Sequence, residues 1–91
     1  MEDLCRKWTE HVSSNRIKAG MTRGKAEQLL AAKLIVAKAV SAEEIWAYYE
    51  LDPQCIVCVH YAIGSSSVFG SPTLLPNGDE ARTNLARWAA K

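Results

Sequence analysis

Two cysteines and a histidine stand within one short run, Cys55-Ile56-Val57-Cys58-Val59-His60. A C-x-x-C spacing serves two chemistries. Zinc needs thiolates and imidazoles converging on a tetrahedron. A redox dithiol needs a helix N-terminus that lowers the thiol pKa. This run offers neither setting. It is dense in β-branched and aromatic residues and bounded by Pro53 and Gly64, which predicts a strand over 54–63. Side chains alternate on a strand, so Cys55 faces away from Cys58 and His60. Cys5 and His11 are isolated and complete no metal set. Cys55 and Cys58 therefore read as small buried hydrophobes, and neither metal nor cofactor is expected.

His60 could act as a general base, because its unperturbed pKa lies near neutrality. It would need a nucleophile and an orienting carboxylate. Ser65, Ser66 and Ser67 follow the strand without a G-x-S-x-G elbow. Gly64-Ser65-Ser66-Ser67 also lacks the spacing and the lysine of a P-loop. These residues assemble no catalytic set, and the chain is expected not to be an enzyme.

A third constellation is aromatic and acidic. Trp46, Tyr48 and Tyr49 stand among Glu43, Glu44, Glu50 and Asp52. Trp and Tyr dominate binding hot spots. On a helix over 42–52, Ile45 shares a face with Tyr48 and Tyr49, and Trp46 points to the side. Glu43, Glu44, Trp46, Tyr48, Glu50 and Asp52 are thus the candidate partner-binding residues.

Charge along the chain sharpens this. Residues 39–80 hold six acidic residues and no lysine or arginine, whereas residues 1–38 hold eight basic residues against four acidic ones. Such asymmetry speaks of partners. An acidic-aromatic surface suits a protein with a basic face. Arg16, Lys18, Arg23 and Lys25 are the candidates for contact with nucleic acid.

The elements that must position these residues follow from periodicity. Leu4, Trp8 and Val12 recur at helical spacing, predicting a first helix that could run to about Ala19, with Gly20 as its left-handed cap and Ser13-Ser14-Asn15 as a point of weakness. Thr22 is a candidate N-cap for a second helix, apolar on most of its circumference, reaching Val40. Ser41-Ala42-Glu43-Glu44 fits a capping box and predicts a third helix ending before Pro53. Val68-Phe69 reads as a short return strand. Asp79 is a candidate N-cap for a last helix over 80–90, with Ala81, Leu85, Trp88 and Ala89 as its apolar stripe.

The expected fold is thus a helix-rich α+β domain over 1–91: three N-terminal helices, a short β-hairpin or strand pair, and a C-terminal helix. With 91 residues there is room for one domain with a thin core. A strand pair alone is marginal, so pairing with a second copy through its edge is expected, giving a homodimer. No apolar stretch is long enough to span a bilayer. Glu2 and Asp3 stand where a signal segment would be basic. Three cysteines without such a signal do not read as a disulfide framework, and a reducing cytoplasm is the expected setting.

Ala39-Val40-Ser41-Ala42-Glu43-Glu44-Ile45-Trp46-Ala47-Tyr48-Tyr49-Glu50 resembles the turn and recognition helix of the MerR family. The resemblance implies a small helix-turn-helix transcriptional regulator that binds DNA. Ala39 stands at the turn glycine of that pattern and Ala47 at its DNA-contacting arginine. Glu43, Glu44 and Glu50 would repel phosphates. The favoured expectation is accordingly a non-enzymatic protein-binding module acting through Glu43 to Asp52. Accessory proteins of phages and mobile elements, including inhibitors of host defence complexes, are often of this size and make-up. The DNA-binding regulator is the second expectation.

Overall fold

The computed structural model describes residues 5–13 and 15–91. Leu4 and Ser14, on which part of the predicted first helix rests, lie outside the described residues. In place of that helix the N-terminal segment makes a 3-10 turn at Arg6–Trp8 and a chain of turns up to Gly20. Val12 and Ile17 are nevertheless buried. Gly20 does adopt the left-handed conformation, at φ 90°, without a helix before it to cap.

Helix α1 spans Arg23–Leu30 and starts as expected, with the Thr22 side chain accepting from the Lys25 N–H. It ends ten residues short of Val40. Ala31 turns left-handed at φ 50°, and the chain continues as strand β1, Lys33–Ala39. Strand β2 follows at Glu44–Asp52 and β3 at Cys55–Ala62. Two short strands complete the sheet, β4 at Ser67–Val68 and β5 at Thr73–Pro76. Helix α2 closes the chain at Asp79–Ala90.

The expectation of three N-terminal helices is therefore wrong. The fold is a small α+β domain with a five-stranded antiparallel sheet and two α-helices. Residues 33–39 and 44–52, read as helix, are a β-hairpin. The physical reason lies in local chemistry. The Ser41 hydroxyl accepts from the Glu43 N–H, forming a tight turn where a capping box would accept from residue 44. Ile35 and Val36 are β-branched, and the aromatics of β2 lie flat on a pleated surface more readily than around a helix.

Strands β1, β2 and β3 lie side by side, and β4 and β5 share the far edge of β3. Beta3 is therefore central, and residues Cys55 to Val59 are all buried. That agrees with the two apolar faces of its sequence. Cross-strand partners share a face. One face carries Ala47, Tyr49, Val57, Val59 and Tyr61, and it packs under Val12, Ile17, Ala26 and Leu30. The other carries Trp46, Tyr48, Glu50, Ile56, Cys58 and His60, and α2 covers part of it with Leu85 and Trp88.

Two polar devices fix these layers. Under α1, the Tyr49 hydroxyl lies 2.8 Å from Glu27 Oε2 and 2.9 Å from the Tyr61 hydroxyl. A carboxylate only accepts, so Tyr49 donates to Glu27 and accepts from Tyr61. Both rings are 1% exposed. Tyr49→Phe is expected to cost about 1–3 kcal/mol, because it strands the buried Tyr61 hydroxyl without an acceptor. Tyr61→Phe leaves the Tyr49–Glu27 bond intact and is expected to cost about 1 kcal/mol or less. Urea denaturation of both variants measures this asymmetry; equal losses would contradict the assigned direction of the chain of hydrogen bonds. Under α2, Lys38 Nζ donates to the carbonyls of Trp88 at 2.6 Å and Lys91 at 2.8 Å. The Trp88 carbonyl also accepts from the Lys91 N–H at the C-cap, and the cation suits the negative end of the helix dipole.

Candidate functional site

The predicted partner-binding residues lie on or beside β2. With a period of two, Glu44, Trp46, Tyr48 and Glu50 project from the same face. The aromatic-acidic grouping therefore survives the change from helix to strand, but much of it is used inside the protein.

Tyr48 packs edge-on against Trp88 at 5.3 Å. Burial, with the Cys58 thiol beside it, pushes its phenol up to about 12. Burial likewise pushes the Cys58 thiol up to about 11. Glu50 accepts from Asn77 and pairs with Arg82, and these two hold its carboxyl below the usual range. Asp52 accepts from the Trp8 indole at 2.7 Å and from the Gln54 N–H, and pairs with Lys7 at 3.1 Å. The indole bond contributes most to holding that carboxyl at about 2. Asp52 thus ties the N-terminal segment to the sheet.

Glu44 and Trp46 form a separate cluster at the opposite end of β2. The Trp46 and His60 rings stack at 4.6 Å, 8° from parallel. Glu44 Oε1 accepts from the Trp46 indole at 2.8 Å and lies 3.2 Å from His60 Nδ1. The orienting carboxylate that a basic histidine needs is therefore present. Among the described residues no hydroxyl or thiol hydrogen-bonds His60, and the Ser65 and Ser67 hydroxyls are spent on each other at 2.6 Å.

Glu43 is exposed at the β1–β2 turn, and its carboxylate makes no ion pair among the described residues. Its carbonyl accepts from Ile63, and the Phe69 N–H donates to the His60 carbonyl. These bonds bring three loops together at one end of the sheet. Ile63 is 37% exposed and Phe69 59% exposed. A shallow cleft between them and β2 is lined by Ser41, Glu43, Glu44, Ala62 and Phe69. Ile63 and Phe69 were absent from the sequence-based site. The available signal was the isolation of Phe69, a large apolar residue among glycines and serines with no periodic partner.

The basic candidates separate as well. Arg16, Lys18 and Lys25 are exposed. Arg23 bonds Glu27 at 3.2 Å and stacks over Tyr61 at 5.4 Å. The residues that resemble a recognition helix form a β-hairpin, so no helix is available there to enter a DNA groove.

Cys55 and Cys58 do face opposite sides of the sheet, but Cys55 is not a free thiol. It is bonded to Cys5, 50 residues away, with the Cα atoms 5.3 Å apart. The expectation of unbridged cysteines is corrected by the path of the N-terminal segment, which crosses the sheet and meets the start of β3. Among the described residues no three His, Cys, Asp or Glu side chains are grouped to hold a metal, and no helix is long and apolar enough to cross a membrane.

Comparison with models of known protein families, with curated proteins and with solved structures finds no match to this chain.

Proposed function

We propose that this chain is a non-enzymatic protein-binding module that docks the end of its sheet formed by Glu43, Glu44, Ile63 and Phe69 against a basic, partly apolar protein surface. One observation carries this reading: Phe69 and Ile63 are exposed beside the unpaired carboxylate of Glu43. Exposed large apolar residues grouped with charge of one sign mark interaction sites. The whole stretch 39–80, which supplies Glu43, Glu44, Ile63 and Phe69, is free of lysine and arginine. An apolar centre beside acidic side chains calls for a partner with an apolar pocket rimmed by lysine or arginine. Trp46 acts from behind, holding Glu44 through its indole.

Inhibition of a host complex by a phage or mobile-element accessory protein is one role such a module fits; its size and charge support that reading only as membership of a class. The Cys5–Cys55 disulfide favours an oxidising setting over the reducing cytoplasm expected from cysteine count.

The test compares immobilised wild-type protein with Phe69→Ser and Glu43→Lys in lysate of the source cells. Both side chains are exposed, so the fold is expected to survive either change. Each variant is expected to lose the same captured protein by tenfold or more, the size of one hot-spot residue. Retention of every captured protein by both variants would show that this end of the sheet is not the docking site.

A further inference from the structure

Asn77-Gly78 forms the turn between β5 and α2. Asparagine before glycine carries a chemical weakness. The backbone nitrogen of the following residue can attack the side-chain amide carbon and close a five-membered ring. A side chain on that residue obstructs the attack, and glycine has none. Asn15 and Asn84 precede Arg16 and Leu85, so neither shares this weakness.

Two observations show that the fold leaves the weakness open. First, the nucleophile is free. Gly78 is exposed, and among the described residues its N–H makes no hydrogen bond. It stands at the N-cap of α2 in extended conformation, at φ −127° and ψ 176°, just outside the helical ladder. Second, a cation holds the amide oxygen. Arg82 Nε donates to Asn77 Oδ1 at 2.9 Å. Ring closure places negative charge on that oxygen, and a charged donor already aimed at it stabilises the charge. Asn77 is half-buried at the surface, within reach of the water that the later step consumes.

We propose that Asn77 is a site of self-catalysed deamidation, in which Gly78 N attacks Asn77 Cγ while Arg82 holds the amide oxygen. The N–Cγ bond forms and the Cγ–Nδ2 bond breaks. The proton of the Gly78 N–H passes through solvent to the departing nitrogen, which leaves as ammonia. Water then opens the cyclic imide at either carbonyl. The products are aspartate, or isoaspartate with the backbone rerouted through the side chain.

The position gives the change a structural consequence. Asn77 Nδ2 donates to Glu50 Oε2 at 3.0 Å and to the Asp52 carbonyl at 3.2 Å. It thereby ties the end of β2 to the start of α2. The product places a carboxylate against these two acceptors, so donation is lost and like charges meet. One neutral amide becomes one negative charge, and the net charge of the chain falls from +1 to 0. Ageing of the molecule loosens α2 from the sheet.

The experiment is peptide mass spectrometry of the full chain aged in mildly alkaline buffer, with ion exchange following the change in charge. The wild type is expected to convert Asn77 at least about tenfold faster than Asn15 or Asn84, a difference of about 1.4 kcal/mol in barrier. Gly78→Ala is expected to slow conversion by about tenfold or more. A Cβ at Gly78 meets nothing within 4 Å, so that variant keeps the fold. Arg82→Ala is expected to slow conversion by about tenfold. Asn77→Asp, which carries the product charge, is expected to melt about 4–8 °C lower. A wild type that keeps its Asn77 amide overturns the proposal. So does conversion at the wild-type rate in Gly78→Ala. Conversion in Arg82→Ala as fast as in the wild type or faster also overturns it, since the hydrogen bonds then shield the amide. An unchanged midpoint in Asn77→Asp overturns the loosening of α2.

Discussion

Reducing the Cys5–Cys55 bond is expected to lower the unfolding free energy by about 4 kcal/mol. The bridge closes a loop of 50 residues. By chain entropy, opening a loop of that length returns about 14 cal/mol/K to the unfolded chain. The bond is well placed to deliver this. Cys5 is 3% exposed and Cys55 fully buried, and they join the N-terminal segment to the central strand. That segment supplies Val12 and Ile17 to the core, and the Trp8 indole to Asp52. Without the bond these contacts alone hold it down. For a chain of 91 residues, about 4 kcal/mol corresponds to a midpoint lowered by about 15–30 °C. Thermal melts with and without reductant measure the loss, and Cys5→Ala is expected to reproduce it without reductant. Superimposable melts would show that the bridge constrains nothing. Cys58 lies on the opposite face of β3 and cannot exchange with the bridge without unfolding, so Cys58→Ala is expected to leave the sensitivity to reductant in place.

The elements that local chemistry decides were legible. Thr22 caps α1, β3 fills the run between Pro53 and Gly64, and the last helix begins at Asp79, which is its first residue and not the N-cap expected, Gly78 taking that position. What failed was the reading of Ala31 to Asp52. Alanine, leucine and lysine carry good helix propensity, and propensity summed over that window favours a helix. The competing signal was the alternation Glu44, Trp46, Tyr48, Glu50 against Ile45, Ala47, Tyr49, Leu51. Its period of two was masked because Trp46 and Tyr48 put large aromatic rings in the set that carries the two glutamates. That is how a strand covered on both faces reads. Pairing between β1, β2 and β3 then overrode the helical preference.

The same blindness to distance applied to the site. The grouping of Glu43, Glu44 and Trp46 was visible because they are neighbours in sequence. Phe69 reaches them only through the backbone bond to His60, and Ile63 through the bond to Glu43. The consumption of Glu50 by Arg82 and of Asp52 by Trp8 depends on residues 32 and 44 positions away. No spacing rule shows such partners. The disulfide was hidden for the same reason.

Above pH 10 the fold is expected to lose stability steeply, because all three tyrosines are held in surroundings that resist ionisation. Burial pushes Tyr49 and Tyr61 up from 10.0, and the hydrogen bond to a carboxylate requires Tyr49 to keep its proton. The unfolded chain releases these protons near pH 10, while the folded chain still holds them. Between those values the folded state binds more protons, so stability falls as pH rises. The full contribution is present below pH 10 and is lost as pH climbs towards the folded values. Tyr49 by itself amounts to a loss of about 1.4 kcal/mol for each unit above 10, and Tyr61 and Tyr48 add to it in the same direction. Cys58 adds to it from a lower pH, since its thiol moves from 9.0 to about 11. Against a stability of ordinary size for this length, losses of this kind are large. The measurement is tyrosinate absorbance followed beside circular dichroism along an alkaline titration. Ionisation is expected to stay suppressed through pH 10 and then to rise together with loss of the fold. A smooth phenolic titration centred at pH 10 in a chain that keeps its circular dichroism would show that the Tyr49–Tyr61–Glu27 hydrogen bonds are open to water.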